Sequence, residues 1–471
     1  MTQAPTVAKL SLPTILAFSG TSLPLAALVL AVAVHLPRYF ASHLGVSLTV
    51  VGGAFALVRL IDIPLDPALG LIMDRTRTRF GRYRVWTVIG APILMAALYM
   101  LFMAPPGVGR PYLMVWLLVM YLGTSILILS HSAWAATLAT SYNERARIFG
   151  IMAAVGVLGS VMVLVIPIVM HQQGFGDGEG VRAMGWFLIV MTPFAVGMVV
   201  WRTPEKITRQ RADERYHLRD YLGLFRHGNV WRIMAADLCL ALGPGWMAAL
   251  YIYFSKDSRG YTVTQANLLL VVYILAGVVG APTIGWLATR ISKHRAMMVI
   301  TSLYSLALFA LLALPKGQAL AAIPVMFVTG FLAAGFNVTT RAITADVGDE
   351  VRLHGGKEQI GLLYALTSMT SKVAGAFSIF LTYTVLAEIG FDPKEHAVNT
   401  ADAIHGLEIA FLSGPILFVA LGGACFIGYK LSAERHAEIR QELEARDALY
   451  DEAPIIESLS GAPAQTLVEG A

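Results

Sequence analysis

The chain has 471 residues, 56% of them hydrophobic and only 14% charged, with a formal net charge of +5 and a mean hydropathy of +0.66. A soluble globular domain carries about a quarter charged residues, so this composition excludes an ordinary water-soluble enzyme. The basic residues collect in short breaks between apolar runs rather than on one face, which argues against a nucleic-acid-binding protein.

Residues 148–175 contain no Asp, Glu, Lys or Arg. A bilayer core of roughly 30 Å is crossed by about 20 apolar residues in a helix. Helix is the expected solution because hydrocarbon offers no partner to an unpaired backbone N–H or C=O. In chain order the apolar segments fall near 12–40, 46–73, 85–104, 111–139, 146–171 and 183–202, then near 229–255, 263–289, 296–314, 318–344, 359–388 and 405–430. The first, from Leu12 to Val34, is long enough to span and lacks a cleavage site, so it reads as an uncleaved helix rather than a secretory signal. The expected fold is an all-α membrane protein of about twelve helices. Cys239 and Cys425 lie inside apolar runs and supply neither a disulfide framework nor a metal spacing.

Orientation follows from Lys and Arg in the short loops. Arg75, Arg77, Arg79, Arg82 and Arg84 follow the second segment; Arg290, Lys293 and Arg295 follow the eighth; the central break holds Lys206, Arg209, Arg211 and Arg215. The alternate loops are poorer in basic residues. Both termini are therefore expected in the cytoplasm of a bacterial-type inner membrane. The two halves also echo one another: Gly70-Leu-Ile-Met-Asp74-Arg75 opens the basic loop after the second segment, and Gly285-Trp-Leu-Ala-Thr-Arg290 does so 215 positions later. Two six-helix repeats with a midplane site between them are a known transporter arrangement. The expected organisation is a bundle over 1–203, a cytoplasmic linker over 204–228, a second bundle over 229–431, and a tail over 432–471. That tail begins as a charged helix and ends in a disordered small-residue stretch.

Ionisable residues at membrane depth are costly and are functional candidates by default. Arg59, Asp62 and Asp66 are spaced by three and four, which puts them on one helix face. Two carboxylates a turn apart in low dielectric repel, which favours a bound cation or a shared proton, with Arg59 a partial counter-charge. Hard oxygen ligands suit Na⁺, and a carboxyl whose pKa is raised suits H⁺; the alternative is an interhelical salt-bridge lock with no ion. Lys372, among Ser368, Thr370, Ser371 and Gly375, is a lone cation that either faces the pathway and meets those aspartates or snorkels to a helix end. Asp237 precedes Gly243-Pro244-Gly245 and is a substrate-site or interface carboxylate. In the fourth segment, Trp134 either stacks on a sugar or fills a core gap, and His131 either relays protons or holds a structural hydrogen bond. Asp346, Asp349 and Glu350 look like loop charges after the tenth segment. No H-E-x-x-H, G-x-x-x-x-G-K-[ST] or G-x-S-x-G constellation occurs.

Arg59-Leu-Ile-Asp62-Ile-Pro-Leu-Asp66-Pro67-Ala-Leu-Gly70, followed by Asp74-Arg75-Thr-Arg77-Thr-Arg79-Phe-Gly81-Arg82, resembles the glycoside–pentoside–hexuronide:cation symporters of the major facilitator superfamily. The resemblance extends through Trp134, Asn143-Glu144-Arg145-Ala-Arg147 and Lys372. It implies cation binding at Asp62 and Asp66, Lys372 close to that region, and sugar contact at Trp134. Where the family has a first-helix aspartate, Ser22 stands; its fourth-helix aspartate aligns with Ser130; its fifth-helix arginine is absent, with Met152 and Val155 in that region. The loss of those charges weakens the case for Na⁺ and for a galactoside.

The expected function is H⁺- or Na⁺-coupled symport of a sugar or related polar solute, with Asp62, Asp66 and Arg59 coupling the ion. Trp134, Lys372, Ser22, Ser130, His131 and Asp237 are candidates toward the solute. Gly70, Asp74, Arg75, Arg79, Gly81 and Arg82 form a gating loop, with Asp74 and Glu144 as salt-bridge partners. The alternatives are a transporter of an amphipathic or lipid-like substrate and, from a different class, a membrane-embedded enzyme or sensor. The partners expected are a small solute, in the lead reading a glycoside, and the bilayer, with neither a nucleic acid nor an obligate protein. No resident cofactor is expected beyond the coupling ion.

Overall fold

The computed structural model describes residues 11–76, 78, 80–138, 142–203, 205, 224–355, 360–394 and 397–451. Among them, twelve helices are long and apolar enough to cross a membrane. The first bundle comprises α1 (Leu12–His43), α2 (Leu48–Arg75), α3 (Tyr83–Phe102), α4 (Arg110–Leu138), α5 (Tyr142–Gln172) and α6 (Asp177–Arg202). The second comprises α7 (Gly228–Ser258), α8 (Val263–Ile291), α9 (Lys293–Ala313), α10 (Ile323–Gly355), α11 (Ile360–Glu388) and α12 (Ala401–Ala424). A further helix, α13 (Ala433–Asp451), follows. Most of the central break, 204 and 206–223, lies outside the described residues, as do 452–471.

The faint internal repeat in the sequence is a real structural repeat. α1 closes with a π turn at Tyr39–His43, followed by Gly45 at φ +69° and by Ser47, whose hydroxyl caps α2 at Val50 N. α7 closes with a π turn at Phe254–Ser258, followed by Gly260 at φ +70° and by Thr262, which caps α8 at Gln265 N. Each matched pair is 215 positions apart. Side-chain oxygens at these caps satisfy N–H groups that the first helical turn leaves over.

Within the first bundle α1 packs on α5, and α3 and α2 pack on α4; within the second, α8 packs on α10, and α7 packs on α11 and α12. The bundles meet most extensively at α2 with α11, at α5 with α8, and at α1 with α7. Small residues allow the closest approaches, as is usual where lipid supplies no hydrophobic drive. At Gly52 of α2 an added Cβ would stand 3.2 Å from the Phe380 Cα and 3.2 Å from the Tyr383 Cβ of α11. The two bundles thus touch backbone to backbone at the end opposite the termini.

Two expectations change here. Asp346, Asp349 and Glu350 are not loop charges but belong to the last turns of α10, which runs eleven residues past the expected end at 344. Their partners explain why: Asp346 accepts from Lys293 at 2.6 Å, Glu350 from Asn229 at 2.7 Å, and Asp349 faces His436 at 3.0 Å. The tail helix α13 is charged but docks on the second bundle through two apolar residues. Its Ile439 and Leu443 are buried, it packs on α10, and Arg440 lies 3.8 Å from Asp349.

Candidate functional site

Midway along α2 the sequence places two prolines, Pro64 and Pro67, around the acidic pair. A proline removes a backbone donor inside a helix, so the local hydrogen-bond ladder is thinned where Asp62 and Asp66 sit. Asp62 is wholly buried. Its Oδ2 accepts from Arg59 Nη1 at 3.1 Å and from Lys372 Nζ at 3.0 Å, and its Oδ1 accepts from Ser125 Oγ at 3.2 Å. Lys372 also pairs with Asp66. The Arg59 guanidinium lies 4.3 Å from the centre of the Tyr121 ring, which holds it against α4.

Two carboxylates and two cations therefore meet at one point, and formal charges cancel. One of the cations comes from the other bundle. Asp66 Oδ1 is buried without a hydrogen-bond partner among the described residues. The oxygens on hand for a cation are those of Asp62, Asp66 and Ser125.

Sequence reasoning brought Arg59, Asp62, Asp66 and Lys372 together and missed Ser125. Alignment to the family pattern pointed to Ser130, but the structure turns that hydroxyl toward α3, 3.1 Å from Thr87 Oγ1. Five residues separate the two serines, which puts them about 140° apart around α4, so only one can face α2.

A second feature lies between α1, α4 and α5. A cavity of about 420 Å³ is lined by Ser22, His131, Ser132, Met152 and Ser160 among apolar neighbours. Ser22 and Met152, read from the resemblance as substitutes for charged residues, share one wall-to-wall space with His131. Among the described residues, no Asp, Glu, Lys or Arg lines it. The His131 Nε2–H donates to the Phe18 carbonyl at 2.9 Å, just before the turn at Gly20-Thr21 that interrupts α1. Trp134 is not in this cavity. It is fully buried in a satellite cluster with Ile15, Phe18, Tyr83 and Val199, beneath the Arg84 guanidinium at 5.7 Å. Asp237 joins helices of its own bundle, accepting from Thr370 and Ser371 of α11.

The basic loop after α2 is tied down by a residue the sequence did not advertise. The Glu205 carboxylate accepts from the backbone N–H groups of Arg82 and Tyr83 at 2.7 Å each and of Arg84 at 3.1 Å. It thereby caps the start of α3 with a negative charge, where the helix dipole favours one. Gly81, at φ +118°, makes the turn, and a side chain there would strike Glu205. Arg82 Nε donates to the Met73 carbonyl and Arg84 Nη2 to that of Thr203. Gly70 lies on α2 with open space around it. Arg79 and the side chains of Asp74, Arg75 and Glu144 lie outside the described residues.

At the end opposite the termini the bundles are latched by polar contacts. Lys256 of α7 lies 3.4 Å from Asp177 of α6, and Arg38 of α1 lies 3.8 Å from the same carboxylate. The hydroxyls of Ser42 and Tyr253 meet at 3.4 Å, and the Arg38 guanidinium stands 5.8 Å from the Tyr253 ring. Neither Asp177 nor Lys256 is among the residues that the sequence marks as candidates.

The family model described as MFS/sugar transport protein matches residues 17–433. The chain belongs to that family. It is a transporter of the major facilitator fold, not an enzyme, and the resemblance to the glycoside–pentoside–hexuronide:cation symporters holds over nearly the whole chain. Among curated relatives, the isoprimeverose transporter of Lactiplantibacillus pentosus is 24% identical, over 89% of this chain and 90% of that one. The lactose permease of Leuconostoc lactis is 24% identical over 82% of this chain and 63% of that longer protein. The glucuronide carrier protein homolog of Escherichia coli strain K12 is 22% identical over 88% and 91%. Among solved structures, the nucleoside transporter NupG superposes with a TM-score of 0.66 at 16% identity, over 88% of this chain and all of that one. That likeness speaks to the fold.

Proposed function

We propose that this protein accumulates a neutral sugar or glycoside by symport with a cation, through alternating access of the cavity between α1, α4 and α5. The observation that carries the reading is the Lys372 bridge. A cation from the second bundle already occupies the space between Asp62 and Asp66, and the cluster is neutral while it stays there. Adding H⁺ or Na⁺ to the aspartates leaves one positive charge too many in a low-dielectric setting, which weakens the hold on Lys372. Ion binding thus competes with the contact that joins the bundles, and that competition couples the ion gradient to their relative movement.

Relatives that carry isoprimeverose, lactose and, by name, glucuronides support a saccharide as the solute. The uncharged lining of the cavity favours a neutral member of that class. The bias of Lys and Arg toward the 76–82, 206–215 and 290–295 loops supports cytoplasmic termini in a bacterial inner membrane. On that assignment the latched end is periplasmic, and the cluster is approached from the cytoplasm.

The test is uptake into proteoliposomes of a panel of neutral glycosides, free pentoses and hexoses, and glucuronides, with pH and Na⁺ gradients imposed separately. Accumulation of a neutral saccharide under one gradient is the expected result. Exclusive uptake of a glucuronide would contradict the reading of the cavity, and movement of no saccharide would turn attention to amphipathic solutes.

A further inference from the structure

Asp237 and Lys372 act on opposite faces of the same helix. The Asp237 Oδ2 accepts from Thr370 Oγ1 at 2.5 Å and from Ser371 Oγ at 2.9 Å, so α7 grips α11 at two consecutive residues. The next residue, Lys372, reaches away from its own bundle to Asp62 and Asp66 on α2. A helix turns about 100° per residue, so a carboxylate held between residues 370 and 371 faces about 150° away from residue 372. α11 packs on both α7 and α2, which places one contact on each side of it.

Rotation matters here because lysine is long. Its ammonium lies roughly 8 Å from the helix axis, so a turn of about 20° moves it by about 3 Å. That displacement equals the whole Lys372–Asp62 separation of 3.0 Å. Packing by small and apolar side chains alone sets helix rotation loosely, whereas two short hydrogen bonds to a carboxylate define it.

We infer that Asp237 is a positioning residue: its two hydroxyl partners fix the rotation of α11 so that Lys372 spans Asp62 and Asp66. This rests on the reading of those three residues as the coupling site. The competing role is a solute ligand, since Asp237 follows Ser22 of the cavity by the same 215 positions that relate the two halves.

The experiment is amine modification of the full-length protein in nanodiscs, with the rate at Lys372 followed by peptide mass spectrometry. Lys316, which is largely exposed, serves as the internal reference. Asp62→Asn, which removes one end of the bridge, is the positive control. Asp237→Asn keeps an acceptor oxygen for both hydroxyls and is expected to leave the Lys372 rate within about twofold of wild type. Asp237→Ala, and independently Thr370→Val with Ser371→Ala, are expected to raise it at least fivefold, with the Lys316 rate unchanged. The double substitution reaches the same contact from α11, so the inference is tested even where Asp237→Ala does not fold. An unchanged Lys372 rate in these variants overturns it. So does Asp237→Ala raising the solute KM with labelling unchanged, which marks a solute ligand. Loss of the coupling reading itself is separate: it would show as wild-type uptake indifferent to any ion gradient, with the labelling pattern intact.

Discussion

Among the described residues, ion pairs join the bundles at two places, and the two differ in setting. Midway along α2, Lys372, 18% exposed, meets the 0% exposed Asp62 and the 21% exposed Asp66. At the end opposite the termini, Lys256 meets Asp177 at 3.4 Å, with the two side chains 37% and 17% exposed. An ion pair in water contributes about 0–1 kcal/mol, and its partners separate at little cost. Breaking a buried pair by removing one partner costs about 3–5 kcal/mol, because a charge is left without compensation. The wet latch is thus suited to open and close with thermal motion. Opening the bridge at Asp62 costs more, because that carboxylate is wholly buried. In the proposed function, coupling is assigned to the bridge anchored on buried Asp62, and gating to the more exposed latch.

The comparison is broken most severely at Lys372. Lys372→Met leaves two aspartates facing Arg59 alone, so net transport is expected to fall at least tenfold, an effect read as initial rate in proteoliposomes. Solute exchange without a gradient should fall less, because the cavity between α1, α4 and α5 is untouched. A smaller effect is expected from Gly52→Val. Even one added carbon stands 3.2 Å from the α11 backbone, so a branched side chain wedges the bundles apart at the latched end. Thiol modification of a cysteine introduced at Ser42 should then speed up several-fold. The smallest effect belongs to Asp177→Asn. Losing a partly exposed pair shifts the gate by about 1 kcal/mol or less, up to about fivefold in the same Ser42 reporter. An Asp177 effect as large as that of Lys372 would erase the distinction between the two contacts.

Much of this was legible in the sequence because it is written locally. Twelve apolar runs, a spacing of three and four among Arg59, Asp62 and Asp66, and a lone lysine in Thr370-Ser371-Lys372 required no knowledge of distant partners. The repeat of 215 residues was visible at Gly70 and Gly285 and reappears in the π turns and caps of α1 and α7. Ser125 was not legible. α4 offers Thr124, Ser125, Ser130 and Ser132, and only the rotation of the helix decides which of them meets Asp62. Glu205 was hidden for a similar reason, since a carboxylate just after Pro204 gives no sign that it folds back to cap α3. The Lys256–Asp177 latch joins residues 79 positions apart in different bundles. Trp134, which the sequence leaves open between a sugar contact and a core residue, is buried under Arg84.

The most direct test of the account is gradient-driven uptake by wild type and Asp62→Asn in the same proteoliposomes, under a pH gradient and a Na⁺ gradient in turn. The account predicts that wild type concentrates solute under one of them and that Asp62→Asn loses this accumulation while still exchanging solute across the membrane. Undiminished accumulation against a gradient by Asp62→Asn would contradict it.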